Sequence, residues 1–329
     1  MPETPETVDT DASHRLGFGC SNLGSDLSYR ASCSLIETAF DAGFRYFDVA
    51  PSYGHGQAER ILGDVLQGVR DEVTLVTKVG IAHPRRVNAL LALKRAAAPI
   101  KRLLPGLWSH GAQQTRRATA PGGQFGAKDI TASIEMSLTR LRTASIDWLL
   151  LHEVRPNELT AESLLVLQQA VAIGHVRGLG LGTSVHDTQT TLVQYPGIFG
   201  LVQMNHFWGA FSWHPGETPL LVTHRAIRDG MAIVNEEGFR HSLEVQPAYA
   251  ILLDAIKSNV IAADLLLAAA LQRRVARVLV GSSRPDRVRQ FMHVARSDSW
   301  SSLAAQLNSA LESYRKAITE RHETAFEKA

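Results

Sequence analysis

The chain has 329 residues, 45% hydrophobic and 20% charged, which is enough apolar mass for a large core and argues against disorder. Thirty-four Lys and Arg against 32 Asp and Glu leave a formal charge of +2, so there is no general case for nucleic acid as a partner. Two cysteines, Cys20 and Cys33, cannot build a disulfide framework and suit a reducing, cytoplasmic compartment.

Residues 1–14 are acidic, lack an apolar stretch of signal-peptide type and read as a disordered tail. From residue 15 onward short apolar strands alternate with amphipathic helices, the pattern of βα units on a parallel sheet. The predicted strands are Leu16–Cys20, Tyr46–Val49, Val73–Thr77, Trp148–Leu151, Val176–Gly182, Leu201–Met204, Ala232–Asn235 and Val278–Gly281. The predicted helices are Ala31–Ala42, Gly56–Leu66, Ile130–Leu141, Ala161–Ile173, Thr188–Val193, Pro219–Asp229, Val260–Gln272 and Pro285–Ala295, with one more at Leu303–Ile318. Asp129 is the expected N-cap of the third helix, and Thr160 gives half of a capping box to the fourth. Eight such strands predict a closed (β/α)8 barrel as a single domain, with a doubly wound open sheet as the alternative. Against the open sheet, Gly17-Phe18-Gly19 lies inside the first strand and lacks the third glycine of a dinucleotide fingerprint. The longest apolar run, Leu265–Leu271, is far below the roughly 18 residues of a spanning helix, so no membrane segment is expected.

One stretch breaks the rhythm. Residues 82–128 separate the third strand from the third helix and far exceed the usual 2–6 residues of a βα loop. The first part carries Lys94, Arg95, Lys101 and Arg102, and the second carries Arg116 and Arg117. A lid over one end of the barrel and a solvated insertion are both open readings.

Four polar residues fall at or just past the ends of the second, third and fourth strands: Asp48, Tyr53, Lys78 and His152. In a parallel barrel all such ends meet on one rim. A phenol needs help to give up a proton near neutral pH, since its ordinary pKa is about 10. A neighbouring ammonium, Lys78, is expected to lower that value, and Asp48 to keep the ammonium charged. A neutral His152 could donate to a carbonyl oxygen. The hydride needed to complete a reduction must come from a cofactor, because no side chain carries one. Asp48-Val-Ala-Pro-Ser-Tyr53-Gly followed by Glu59, a strand ending Thr77-Lys78, and a strand ending Leu150-Leu-His152 resemble the aldo-keto reductases. The resemblance runs from Leu16 to about Ala295, outside the insertion. It implies a (β/α)8 barrel that binds a nicotinamide cofactor, usually NADPH, with Tyr53 as proton donor, Lys78 and Asp48 as its partners and His152 orienting the substrate.

The cofactor end is read from Val278 to Arg287. Gly281, Ser282 and Ser283 form a small-residue turn, and Pro285 opens a helix whose free N–H groups attract phosphate. Arg284 and Arg287 can add charge-assisted contacts, which favours a 2′-phosphate and hence NADP(H). The resemblance matches Ser282 and Arg287 to the family's adenosine-phosphate loop, and Ser184 and Gln203 to groups on the nicotinamide carboxamide. It also shows departures: Val185 for an asparagine, Phe291 for another, and Asn235-Glu236 where a stacking aromatic is usual. Phe207 or Phe239 could replace that ring, Glu236 could reach the pocket, and Trp208, Phe211 and Trp213 could line the rim or equally be loop core. The expected activity is reduction of an aldehyde or ketone, sugar-like or aromatic, with a small-molecule carbonyl as partner and no metal. A non-catalytic cofactor-binding protein and a sugar dehydrogenase or redox-assisted lyase are the alternatives.

Overall fold

The computed structural model describes residues 12–81, 123–209 and 219–326. Eight strands, all parallel to their neighbours, close in sequence order into a barrel: β1 Leu16–Gly19, β2 Tyr46–Asp48, β3 Thr74–Val79, β4 Ile146–His152, β5 Val176–Gly182, β6 Leu201–Asn205, β7 Leu220–His224 and β8 Arg277–Val280. The open sheet is thereby excluded, since β1 pairs with β8 through Leu16–Val278 and Phe18–Val280. The helices are α1 Tyr29–Ala42, α2 Gln57–Leu66, α3 Ala127–Leu141, α4 Ala161–Ala172, α5 Val185–Gln194, α6 Ala226–Val234, α7 Glu237–Glu244, α8 Ala250–Lys257, α9 Asn259–Leu271, α10 Pro285–Arg296 and the C-terminal α11 Ser301–Phe326. Among the described residues, no helix is long and apolar enough to cross a membrane.

Local chemistry fixes the ends of these elements. Ser28 caps α1 by accepting from the Ala31 N–H, and Gly43 ends it at φ 114°, a left-handed conformation that favours glycine. Thr160 caps α4 as expected, accepting from the Ser163 N–H at 3.1 Å. Asp129 does not cap α3: the helix starts earlier, at Ala127, and Asp129 lies in its first turn, where its charge faces the positive helix end. Of the insertion 82–128, residues 82–122 lie outside the described residues, and with them Lys94, Arg95, Lys101, Arg102, Arg116 and Arg117. Near its end, Phe125 is buried in the core, and its carbonyl accepts from Ser163 Oγ at 2.5 Å.

The seventh strand is not where the sequence reading put it. Leu220–His224 is the strand, and Ala232–Asn235 is the end of helix α6 and its cap; the predicted helix Pro219–Asp229 is correspondingly overturned. The buried positions Ala226, Gly230, Ile233 and Val234 recur at helical spacing, and that face packs inward.

Two apolar layers hold the fold. The larger lies between strands and helices and includes the fully buried Phe18, Phe44, Phe47 and Phe239. The smaller fills the barrel itself: Tyr46, Val76, Leu150, Leu201, Val222 and Leu279, with Trp148 and Leu220 against them. A polar exception joins α2, β3 and α3. Glu59 is 0% exposed, and its Oε1 accepts from Thr77 Oγ1 and Ser137 Oγ, each at 2.7 Å. Its Oε2 accepts from Arg140 at 3.3 Å. Truncation would leave two buried hydroxyls and a guanidinium without their acceptor. Glu59→Ala is therefore expected to lower the unfolding free energy by about 3 kcal/mol in urea titrations, and Glu59→Gln, which keeps an acceptor, by clearly less. Equal losses in the two variants would show that the hydrogen bonds do not carry the effect.

Candidate active site

The barrel-filling layer predicts the site. Strand side chains alternate between the two faces, so the residue two places beyond each interior residue also points inward. Tyr46 leads to Asp48, Val76 to Lys78, Leu150 to His152, Leu201 to Gln203 and Val222 to His224. The other three strands place glycine at the same level: Gly19, Gly182 and Gly281. Five polar side chains from five strands thus crown an apolar plug, and the three glycines leave room beside them. His224 was missed by the sequence reading because its strand was misplaced; the alternation Leu220, Val222, His224 was the available signal.

The ion pair at the centre is buried. Lys78 Nζ donates to both carboxylate oxygens of Asp48, at 2.7 and 2.8 Å, and to the Val49 carbonyl at 3.0 Å. Both residues are 3% exposed. From across the barrel, Gln203 Nε2 donates to Asp48 Oδ2 at 3.1 Å. Burial alone would pull the Lys78 ammonium down, but the charges of Asp48 and Tyr53 and its hydrogen bonds to both hold it above its ordinary value. Burial pushes the Asp48 carboxyl up, opposed by Lys78 and Gln203.

Tyr53 opens the short 3-10 turn Tyr53–Gly56 after β2. The turn needs glycine next to it: a Cβ on Gly54, at φ 53°, would stand 2.2 Å from the Leu23 carbonyl oxygen. Lys78 Nζ lies 5.1 Å from the centre of the Tyr53 ring. The phenol is not more acidic than an ordinary one, contrary to the sequence reading. Burial raises its pKa, with Asp48 adding to the rise, and the charge and hydrogen bond of Lys78 only partly offset them. The physical reason is that the ammonium is already neutralised by a carboxylate in direct contact. The Tyr53 and His152 rings meet edge to face, centroids 6.4 Å apart at 89°. Burial, then Lys78 and His224, lowers His152 to about 3, and burial, Lys78 and Arg225 lower His224 to about 4. Both imidazoles are neutral at pH 7, as expected for His152.

The remaining assigned residues spread along the rim from β5 to α10. Ser184 caps α5: its Oγ accepts from the Asp187 N–H at 3.1 Å and donates to Asp187 Oδ2 at 2.6 Å. Gln203 Oε1 is buried with no hydrogen-bond partner among the described residues, an acceptor suited to an amide N–H. Gly281 and Ser283 lie in the turn after β8, and a Cβ on Gly281 would stand 2.9 Å from the Gly19 carbonyl oxygen. Ser282 Oγ accepts from the Arg284 N–H at 3.1 Å, and Pro285 opens α10. The two arginines are not free. Arg284 pairs with Asp286 at 2.5 and 3.2 Å, and Arg287 pairs with Asp264 of helix α9. Arg287 Nη2 is nevertheless a buried donor without a partner among the described residues. An orphan acceptor at the β6 end and an orphan donor at α10 fit the two ends of a dinucleotide.

Other expectations are corrected. Glu236 does not reach the pocket: α6 carries the chain away from the rim, and Glu236 accepts from the Tyr314 hydroxyl at 3.0 Å on α11. Phe239 cannot supply a ring, being fully buried against Tyr314. Trp208 is a core residue at 3% exposure whose indole N–H donates to the Ala226 carbonyl. Phe211 and Trp213 lie outside the described residues.

The chain is 33% identical to D-threo-aldose 1-dehydrogenase of Pseudomonas sp over 190 residues, 54% of this chain and 53% of that protein. It is 30% identical to pyridoxal 4-dehydrogenase of Microbacterium luteolum over 189 residues, 51% of this chain and 52% of that protein. The chain thus spans about half the length of the curated relatives it matches. Among solved structures, an aldo-keto reductase from Bacillus halodurans superposes with a TM-score of 0.63 at 18% identity, covering 91% of this chain and 92% of the other. One from Klebsiella pneumoniae, in complex with NADP and acetate, gives 0.60 at 18%, covering 90% of each chain. The sequence profile described as the Aldo/keto reductase family matches residues 15–195, more than half of the chain. A closed barrel with this buried pair, matched over that range, is a member of the aldo/keto reductase family.

Proposed function

We propose that this chain interconverts a carbonyl group and an alcohol with a nicotinamide cofactor, NADP(H), and that Tyr53 carries the proton. The observation that carries the reading is the buried Asp48–Lys78 pair in contact with a half-buried phenol at the open end of the barrel. When bound, the nicotinamide supplies or accepts the hydride.

The chain's own residues account for the rest. The Tyr53 hydroxyl gives its proton to the carbonyl oxygen, and the Lys78 ammonium stabilises the phenolate left behind. Asp48 keeps that ammonium charged in a site where burial would otherwise strip its proton. Neutral His152 donates an N–H to the same oxygen and fixes its angle. Gln203 Oε1, an acceptor without a partner among the described residues, is suited to the carboxamide. The aromatic that the family usually places at the end of the seventh strand is here an imidazole, His224. Arg287 Nη2 and the α10 N-terminus are suited to the adenosine phosphate.

Direction is the finer question. The two relatives reported above, at 33% and 30% identity over about half of this chain, are named dehydrogenases, so oxidation of a hydroxylated substrate is a second reading on the same site. A lyase using Glu236 as a base loses its support, because that carboxylate is engaged by Tyr314.

Rates of NADPH and NADH oxidation with a panel of aldehydes and ketones, and of NADP+ and NAD+ reduction with aldoses, test the reading. Tyr53→Phe should lower kcat by about 10²–10⁴-fold while cofactor Kd stays within about threefold. Wild-type turnover in that variant would remove Tyr53 as the donor. The pH profile carries a sign. In reduction Tyr53 must be protonated, so kcat/KM falls only as pH rises through a phenol pKa above its ordinary 10. His152, lowered to about 3, should add no limb between pH 5 and 8. A limb near pH 6.5 that His152→Gln abolishes would contradict the neutral imidazole. His224→Ala should weaken dinucleotide binding about tenfold in fluorescence titration through loss of ring contact, and unchanged Kd would place the imidazole outside the cofactor site.

A further inference from the structure

We propose that Asp264 is a specificity-determining residue that holds down the site's preference for a 2′-phosphate, so that NAD(H) competes with NADP(H). This rests on the nicotinamide reading above and extends it to the adenosine end.

Helix α9 is apolar on all sides and buried at Ala262 and from Asp264 to Leu271, with Asp264 as the acidic residue among those buried positions, 4% exposed. A carboxylate in such a helix has to be compensated. The compensation comes from α10. Arg287 Nη1 donates to Asp264 Oδ1, and Gln290 Nε2 donates to Oδ2 at 2.8 Å. The guanidinium of Arg287 also lies 4.8 Å over the Phe291 ring, so the pair is held from below and from the side. Its side chain keeps 20% of its exposure. One donor, Nη2, is buried without a partner among the described residues.

The charge balance follows directly. A free arginine beside a helix N-terminus would offer a full positive charge to a phosphate dianion. Here that charge is cancelled by a carboxylate in contact with it. The neighbouring Arg284 is likewise paired, with Asp286. A ribose 2′-hydroxyl needs a hydrogen bond and no net charge, so it loses little when the charge of Arg287 is cancelled. A 2′-phosphate would meet the same side chain with the Asp264 carboxylate immediately behind it, and like charges across one guanidinium repel. Asp264 therefore acts through Arg287 and weighs against NADP(H) without affecting the nicotinamide end.

The test measures binding, not turnover. Dissociation constants for NAD+ and NADP+ are taken by isothermal titration calorimetry for the wild type, Asp264→Asn, Arg287→Gln and the double variant. Asp264→Asn should shift the ratio Kd(NAD+)/Kd(NADP+) toward NADP+ by about tenfold or more. Arg287→Gln should shift it toward NAD+ by a similar factor, because the carboxylate is then unopposed. The double variant should return to within about threefold of the wild type, because the cation and the carboxylate that cancels it are then both gone. A ratio that Asp264→Asn leaves unmoved, or moves toward NAD+, overturns the proposal, since the carboxylate would then be only structural or would aim Arg287 at phosphate. Should Asp264→Asn not fold, the comparison of Arg287→Gln with the double variant decides: a higher NADP+ preference in the double variant supports the proposal and equal ratios overturn it. Wild-type protein that binds neither dinucleotide would sink the nicotinamide reading itself, a result distinct from binding with an unmoved ratio.

Discussion

A carboxylate and an ammonium in direct contact, both almost wholly buried, set the terms for everything around them. Removing two charges from water costs several kcal/mol for each ion, and contact repays it only with good geometry and further hydrogen bonds. The barrel provides both. Lys78 spends donors on both Asp48 oxygens and on the Val49 carbonyl, and Gln203 reaches the carboxylate from β6. The pair links β2 and β3, and Gln203 ties it to the far side of the barrel. An apolar pair of similar volume would serve stability as well, so a costly ion pair at the open end of a packed barrel points to chemistry.

The same pair explains why the phenol is not acidified. A lone ammonium beside a tyrosine would favour the phenolate. With Asp48 bound to it, the net charge near Tyr53 is close to zero, and burial then dominates and raises the phenol's pKa. The consequence is a site that keeps Tyr53 protonated at neutral pH. That suits proton donation, in which the hydroxyl must be loaded before the carbonyl arrives. The assistance of Lys78 is then felt as negative charge develops on the phenol oxygen, more than in the resting state.

Much of this was legible in the sequence, for physical reasons that differ by element. Strand ends marked by Asp48, Lys78 and His152 were visible because each follows an apolar β-rich run and each residue is chemically out of place there. The seventh strand was not. Leu220–His224 and Met231–Val234 are both short apolar runs, and such runs look alike to a period-based reading. The difference lay in spacing: Ala226, Gly230, Ile233 and Val234 form one helical face, while Leu220, Val222 and His224 alternate. Misplacing that strand hid His224 and promoted Glu236, which the fold carries to α11 instead. The pairing of Arg287 was illegible for a different reason. Its partner is 23 positions earlier, on another helix, and no local pattern reports a contact between two helices.

That contrast divides the site into two kinds of construction. The reactive end is built by strand register, where a period of two forces Asp48, Lys78, His152, Gln203 and His224 to one level once the interior residues beneath them are fixed. A one-residue slip in any of those strands would turn its polar residue outward, so the packing of Tyr46, Val76, Leu150, Leu201 and Val222 is what keeps the chemistry aligned. The proposed adenosine end is built by side-chain contact between α9 and α10, where Asp264 pairs with Arg287 and Gln290 away from the barrel layer. On the function proposed above, changes in cofactor preference would therefore be cheap for this fold, and changes in the proton-transfer machinery would not.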